Sequence, residues 1–283
     1  MNKSRRSRKK SVKKISPVNK FFNKIFVINL YSNENKWKKV QKQFKNRKIN
    51  VERFVAIDGR CKNEGRQACL DKKKSFEMAY DVVIGDNPDQ ALKVLIPASS
   101  LTIGTVVLLR NQVKNKWKHM LICEDDIELN KDFSKRFNEG IKSLPKDWDL
   151  LYLGCGNLCG NKGISWDKSK YNNNMSTVAP FMDMEYYVRY KNDLRYPCDD
   201  GCEEINKNIS VADEPGGTWC YAYSLKGAKK LLKLLNNNVG EHIDTLIKEA
   251  VLDGKIKAYS FDPPIVMHEE GAIRSNTDIP WEW

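Results

Sequence analysis

Apolar residues are distributed along the chain in short runs separated by polar turns. Lys24-Ile25-Phe26-Val27-Ile28-Asn29-Leu30 has the length and density of a buried strand, closed by the polar residues 31–35. Trp37, Val40 and Phe44 then recur at helical spacing, which predicts a lysine-rich helix over about 37–47. A second strand is expected over 51–57, ended by Asp58-Gly59, and residues 60–97 are less regular, with a helix near 74–83. Thr102-Ile103-Gly104 opens an apolar helix expected from 105 to about 117, leading into a strand at 119–123. Residues 132–144 are amphipathic and helical up to Pro145, and 149–154 is again a buried strand.

This alternation is βαβ-like and predicts an α/β fold with a mostly parallel central sheet covered by helices on both faces. Residues 155–217 break the pattern: they are rich in Asn, Asp, Tyr and Gly and carry few periodic apolar positions. So long an irregular stretch inside a domain points to an active-site or acceptor-binding insertion. Regular structure resumes with a strand at 218–223 and a helix to 235, for which Ser224 is the N-cap. Gly240-Glu241-His242-Ile243-Asp244 leads a further helix to about 252, and a strand follows at 256–261. Asp262-Pro263-Pro264 precedes the apolar Ile265-Val266-Met267, which ends at His268, and residues 269–283 form a trailing arm. The expected organisation is a basic tail (1–23), one domain (24–268) and the arm.

The formal charge of +13 over 283 residues resembles a nucleic-acid signature until its location is considered. Residues 1–20 hold nine Lys and Arg and no acid, so the rest of the chain is nearly balanced. The charge therefore belongs to a solvated arm, suited to localisation, tethering to an anionic surface or solubility, and a nucleic-acid partner is not expected. No apolar run reaches membrane-spanning length, and the basic tail is not followed by the apolar segment of a signal peptide. A cytoplasmic location is favoured on these grounds. The high Asn and Lys content points to an AT-rich genome, microbial or large viral; a viral chain would act in the host-cell cytoplasm or the virion. Of eight cysteines, Cys123 and Cys220 sit in apolar runs as small core residues. Cys155, Cys159, Cys198 and Cys202 form two C-x3-C pairs, open to zinc binding, disulfides or free thiols, with reduced cysteines favoured.

The chemistry is concentrated at Glu124-Asp125-Asp126, directly after the apolar Met120-Leu121-Ile122-Cys123. Three carboxylates at the end of a buried strand call for a cation, and hard divalent ions such as Mn2+ or Mg2+ take oxygen ligands together with substrate phosphates. The carboxyl edge of an α/β sheet is also where nucleotides bind. Along a strand alternate side chains share a face, so Glu124 and Asp126 are expected to converge while Asp125 points away.

Six collinear segments resemble family 25 of the glycosyltransferases, the group of lipooligosaccharide and procollagen galactosyltransferases. They are Phe26-Val27-Ile28-Asn29-Leu30, Phe54-Val55-Ala56-Ile57-Asp58-Gly59, Leu101-Thr102-Ile103-Gly104, residues 121–128, Asp147-Trp148-Asp149-Leu150-Leu151-Tyr152-Leu153-Gly154 and Tyr221-Ala222-Tyr223-Ser224-Leu225-Lys226-Gly227-Ala228. The chain departs from the family after Leu30, where Tyr31-Ser32-Asn33-Glu34-Asn35-Lys36 replaces an arginine-rich turn, and at Thr105 and Arg110-Asn111, where an acid and a Ser-His pair are absent. The resemblance implies a GT-A-like nucleotide-sugar-binding fold, a divalent metal, a UDP-sugar donor and inversion at the anomeric carbon. Galactose is the first expectation for the sugar and glucose the second. The acceptor expected is a hydroxyl of a glycan or of hydroxylysine in a collagen-like protein.

On this reading Asp126 is the metal ligand, with Glu124 beside it and His268 as a late third ligand, an imidazole suiting Mn2+ better than Mg2+. Glu124 and Asp125 are also expected near the ribose or metal-bound water. Asn29, Asp58, Thr102 and Gly104 are the remaining nucleotide-sugar candidates, the last two through the start of a helix. Asp244 is the preferred general base and Glu241 the alternative, both at a helix start that favours an ionised carboxylate. Asp213 and Glu214, before Pro215-Gly216-Gly217, are a second choice of base; Lys226 and Arg274 are candidates for neutralising phosphate. A binding module on the same fold, without catalysis, is the competing expectation.

Overall fold

The computed structural model describes residues 15–60, 65–85, 92–155, 204–212 and 215–268. In chain order the strands are β1 (Lys24–Asn29), β2 (Glu52–Val55), β3 (His119–Cys123), β4 (Ile127–Leu129), β5 (Leu150–Gly154), β6 (Glu204–Asn206), β7 (Ile209–Val211), β8 (Cys220–Ser224), β9 (Ala258–Phe261) and β10 (Val266–His268). The helices are α1 (Pro17–Phe21), α2 (Glu34–Asn46), α3 (Arg66–Tyr80), α4 (Leu92–Lys114), α5 (Phe133–Gly140), α6 (Leu225–Leu235) and α7 (Ile243–Leu252). An eight-stranded sheet has the order β2-β1-β3-β8-β5-β9-β7-β6, and β4 pairs with β10 in a separate two-stranded sheet.

β2, β1, β3, β5, β9 and β6 run one way; β8 and β7 run the other. The sheet is thus mostly parallel and flanked by helices, as the alternation of elements predicts. Both faces are apolar because successive strand residues point to opposite sides. Met120 and Ile122 of β3, Leu150 and Tyr152 of β5, and Tyr221 and Tyr223 of β8 pack with apolar residues of α4, α6 and α7. Leu121 and Cys123, Leu151 and Leu153, and Cys220 and Ala222 pack on the other face with residues of α1, α2 and α5.

Several boundaries differ from the expected ones. The domain begins before Lys24, since α1 is capped by the Ser16 hydroxyl and Val18 and Phe22 are buried in the core. α3 starts at Arg66 rather than near 74. α4 begins at Leu92, runs through Pro97, and places Thr102 and Gly104 in its interior rather than at its start. Pro97 removes one ladder hydrogen bond, and the Ser100 hydroxyl donates to its carbonyl at 2.6 Å. α5 stops at Gly140, ahead of the expected end at 144. The stretch expected to be irregular over 155–217 contains the β6–β7 hairpin, which extends the main sheet beyond β9; residues 156–203 and 213–214 lie outside the described ones, as do the tail to residue 14 and the arm from 269. Ser224 caps α6 as expected, accepting from the Gly227 amide at 3.0 Å.

The cysteines also differ. Cys123 and Cys220 stand opposite one another in the β3–β8 register and form a cross-strand disulfide, and Cys155 is disulfide-bonded as well, against the expectation of reduced thiols. Cys159, Cys198 and Cys202 lie outside the described residues. Asp149 is fully buried, accepts from Lys230 at 2.6 Å and the Lys257 amide at 3.0 Å, and is ion-paired with Lys226 Nζ at 3.1 Å, tying β5 to α6 and β9. Lys226 is therefore held at the starting edge of β5, the edge opposite Glu124, and is not placed to meet a phosphate there. Among the described residues no helix is long and apolar enough to cross a membrane.

Candidate active site

The finishing edges of β1 and β3 lie side by side, and β8 enters between β3 and β5 in the opposite direction, so its first residues arrive at the same edge. β3 ends at Cys123, which leaves Glu124, Asp125 and Asp126 in the connection to β4. The strict alternation expected of a strand does not extend through them. Asp125 consequently turns toward the same lysine as Asp126 instead of pointing away.

Each carboxylate has its own neighbours. Asp125, 6% exposed, accepts from Asn29 Nδ2 at 2.5 Å, and the same amide group donates to the Asn33 carbonyl at 3.0 Å. Asp126, 4% exposed, meets Lys36 Nζ through Oδ2 at 3.2 Å, while Lys36 Nζ lies 3.7 Å from Asp125 Oδ1. The other oxygen, Asp126 Oδ1, is buried without a hydrogen-bond partner and lies 3.6 Å from His268 Nε2. Glu124 accepts from the Thr218 hydroxyl at 2.8 Å. Asp244, in the first turn of α7, acts electrostatically on Glu124, Tyr152 and Tyr221 and so belongs to the same cluster.

His268 reaches Asp126 because β10 runs antiparallel to β4 and sets His268 opposite Ile127, the residue after Asp126. The approach depends on Gly154. A Cβ there would stand 2.1 Å from the Val266 carbonyl oxygen, so the chain entering β10 can cross the end of β5 only over a glycine. The opposite edge of β4 is held by α2: Gln43 donates to the Ile127 carbonyl at 2.7 Å and accepts from the Leu129 amide at 2.8 Å. The same helix carries Lys36 in its first turn. The indole of Trp219 lies 5.5 Å from the His268 ring, and the Trp219 carbonyl accepts from the Glu124 amide at 2.8 Å.

Among the described residues the charge balance is uneven. Four carboxylates act on one another here, and Lys36 is the ammonium placed among them. Burial, reinforced by Asp126, Asp244 and Asp125, pushes the Glu124 carboxyl up to about 8 against the Thr218 hydrogen bond. Burial also raises Asp125, opposed by Asn29 and Lys36. For Lys36, burial works downward, but Asp126 and Asp125 outweigh it and the net direction is up. A buried acceptor without a partner, an imidazole facing it and an excess of negative charge are the features a hard divalent cation satisfies. Among the described residues no group of three His, Cys, Asp or Glu side chains is arranged to hold a metal; Asp126 and His268 form a pair.

The remaining expected residues are distributed differently. Glu241 is exposed and its carboxylate accepts from the adjacent His242 amide at 2.9 Å. Asp58 closes a local turn with Arg60, at 2.5 and 2.8 Å, whose hydrogen bonds hold its carboxyl below the usual range. Thr102 is fully buried and donates to the Glu241 carbonyl at 2.8 Å, tethering α4 to the segment that leads to Asp244. Gly104 faces the Phe54 ring. Neither presents a free helix-terminal amide, because α4 starts ten residues earlier than Thr102. Asp213, Glu214 and Arg274 lie outside the described residues. Lys36, Gln43, Thr218 and Trp219 enter the site although their sequence context marks only Thr218 and Trp219, through the adjoining Gly216-Gly217.

The sequence profile described as Glycosyltransferase family 25 (LPS biosynthesis protein) matches residues 106–247, half of the chain. The chain belongs to glycosyltransferase family 25. Glycosyl transfer is the activity that this membership supports. The family 25 match contains Glu124, Asp125, Asp126, Thr218 and Asp244; Asn29 and His268 fall outside it and are joined to it by the pairing of β1 with β3 and of β10 with β4, and Lys36 by its contact with Asp126. Among solved structures, apo mouse xyloside xylosyltransferase 1 is similar at a TM-score of 0.37 and 8% identity, over 91% of this chain and 87% of that one. No curated protein matches the chain.

The state of Glu124 makes this family 25 chain sensitive to pH. The folded side chain titrates at about 8 and the ordinary value is 4.5, so between these limits the folded state binds the extra proton. Stability of the metal-free protein should therefore fall as pH rises through this window. Urea midpoints compared between pH 6 and 8.5 should show a smaller decline for Glu124→Gln than for the wild type. Equal declines would place the titrating group elsewhere.

Proposed function

We propose that this family 25 glycosyltransferase moves a hexose from a UDP-sugar to a hydroxyl acceptor, with inversion and with a divalent metal, Mn2+ before Mg2+. The observation that carries the reading is Asp126 Oδ1, buried, without a hydrogen-bond partner and facing His268 Nε2. Asp126 and His268 would hold the ion, with Glu124 close enough to act on it through charge. When bound, the metal supplies a Lewis acid for the leaving diphosphate.

The chain's own residues account for the other requirements. Asn29 Oδ1 is a buried acceptor without a partner, suited to a hydroxyl or N–H donor of the nucleoside. Asp125 is fixed by Asn29 and Lys36 in the orientation it holds beside that acceptor. Asp244 is the base we favour over Glu241, because it acts on the carboxylate cluster from a helix start whereas Glu241 is exposed and bonded to its neighbour. It would take the proton of the acceptor hydroxyl as that oxygen forms its bond to the anomeric carbon from the face opposite the diphosphate. The carbon–oxygen bond to UDP breaks, and its electron pair leaves on the diphosphate. Galactose is preferred to glucose as the donor sugar, and the acceptor is a glycan hydroxyl or hydroxylysine of a collagen-like protein; both rest on the family resemblance.

UDP release from a panel of UDP-sugars, with and without Mn2+, tests the proposal. Slow Mn2+-dependent hydrolysis of one donor, lost in Asp126→Ala, is expected and would identify the sugar. Neither turnover nor metal-dependent UDP binding would instead leave a glycan- or protein-binding module on this fold.

A further inference from the structure

Lys36 occupies an unusual place for a lysine. It lies in the first turn of α2, where the helix dipole disfavours a cation, and Glu34 already supplies the acid such a turn prefers. Its position is explained by the two buried carboxylates it touches: Nζ lies 3.2 Å from Asp126 Oδ2 and 3.7 Å from Asp125 Oδ1. The Lys36 side chain is 28% exposed, against 5% and 6% for the two aspartates, so the ammonium covers the pair from the solvent side. Asp126 then divides its oxygens, one toward Lys36 and one, without a hydrogen bond, toward His268.

We propose that Lys36 is the resident counter-ion of the Asp125–Asp126 pair and opposes a divalent cation for it, so that this lysine sets how weakly the site holds metal. The inference rests on the metal-dependent reading above. A cation entering at Asp126 Oδ1 draws on the same carboxylate that Lys36 neutralises and meets the ammonium across the width of that group. Two positive charges sharing one buried carboxylate repel strongly. Removing the lysine leaves both aspartates uncompensated in the metal-free protein and frees their full charge for the ion. Lysine suits this task better than arginine because it is a compact charge on a flexible stem, able to swing away without breaking a planar two-bond fork.

Calorimetric titration of the full-length, metal-free chain with MnCl2 tests this, together with melting temperatures in EDTA and in Mn2+. Lys36→Met should bind Mn2+ at least about tenfold more tightly than the wild type. It should melt lower in EDTA and gain more from Mn2+, while Lys36→Arg, which keeps the charge and adds the fork, binds Mn2+ no more tightly than the wild type. Lys36→Gln, neutral but polar, should reproduce the tighter binding and serves if the methionine variant does not fold. Equal or weaker Mn2+ binding in the neutral variants, with the wild type binding normally, overturns the role of Lys36 alone. Absence of Mn2+ binding in every variant removes the metal-dependent reading and this inference with it.

Discussion

Asp126→Asn is expected to lower sugar transfer about a thousandfold, equivalent to about 4 kcal/mol of transition-state stabilisation, without lowering the melting temperature of the metal-free protein. The substitution keeps the shape of the side chain and removes the charge. An amide oxygen is a poorer partner for a divalent cation than a carboxylate, and the amide nitrogen brings a donor to a place that calls for acceptors. Stability should respond in the opposite sense, because Asp126 is 4% exposed, adds to the repulsion on Glu124 and leaves one oxygen without a hydrogen bond. Removing its charge relieves that crowding. A group retained for the fold would lose stability on substitution, whereas a group retained for function can gain it. Steady-state transfer with the donor identified by UDP release, paired with thermal unfolding in EDTA, measures both. Activity within about threefold of the wild type would remove Asp126 from the chemistry.

Gly154→Ala should cost on the order of 3 kcal/mol of stability and disable transfer through the displaced His268. The added methyl group would lie 2.1 Å from the Val266 carbonyl oxygen and 2.9 Å from its carbon, both backbone atoms with no rotamer to yield. The chain entering β10 must retreat, and with it the hydrogen bond from the Ile265 amide to the Leu153 carbonyl, 2.9 Å long. Because β10 is paired to β4 with His268 opposite Ile127, that retreat moves the imidazole relative to Asp126. Urea unfolding measures the first effect and Mn2+ affinity the second. Unchanged values for both would show that β10 yields without consequence.

The strands were legible in the sequence to the extent that burial makes them apolar. β3 has the bounds its run of Met120-Leu121-Ile122-Cys123 implies, and β1 and β5 differ from expectation by one residue. Helix starts were harder. Pro97 is a breaker by local rules, yet α4 passes through it, with Ile96 before the proline and Ile103, Val106 and Leu109 after it buried in apolar clusters. That misplacement made Thr102 and Gly104 look like a helix start.

Strand direction left no trace in composition: β8 is as apolar as its parallel neighbours but runs antiparallel to β3 and β5. Within the site, Glu124, Asp126, His268 and Asp244 were recognisable as residues whose chemistry demands a partner. Lys36 was not, since lysines on a lysine-rich amphipathic helix are normally solvated, and its contact with Asp126 spans 90 positions. Asp125 was placed on the wrong side because the end of a strand decides which way the next side chain points, and that end depends on the pairing with β8.

The insertion of β8 between β3 and β5 has a consequence for biosynthesis. Cys123 and Cys220 are partners in the finished sheet, but 97 positions separate them along the chain. A growing polypeptide therefore leaves the ribosome with β3 made and one of its edges unpaired until β8 follows, and an exposed edge of this kind recruits other chains. Slow translation or truncation in this interval should yield aggregates rather than a smaller working domain. β10 emerges later still, so a chain interrupted before residue 268 carries the carboxylates without the imidazole that faces them.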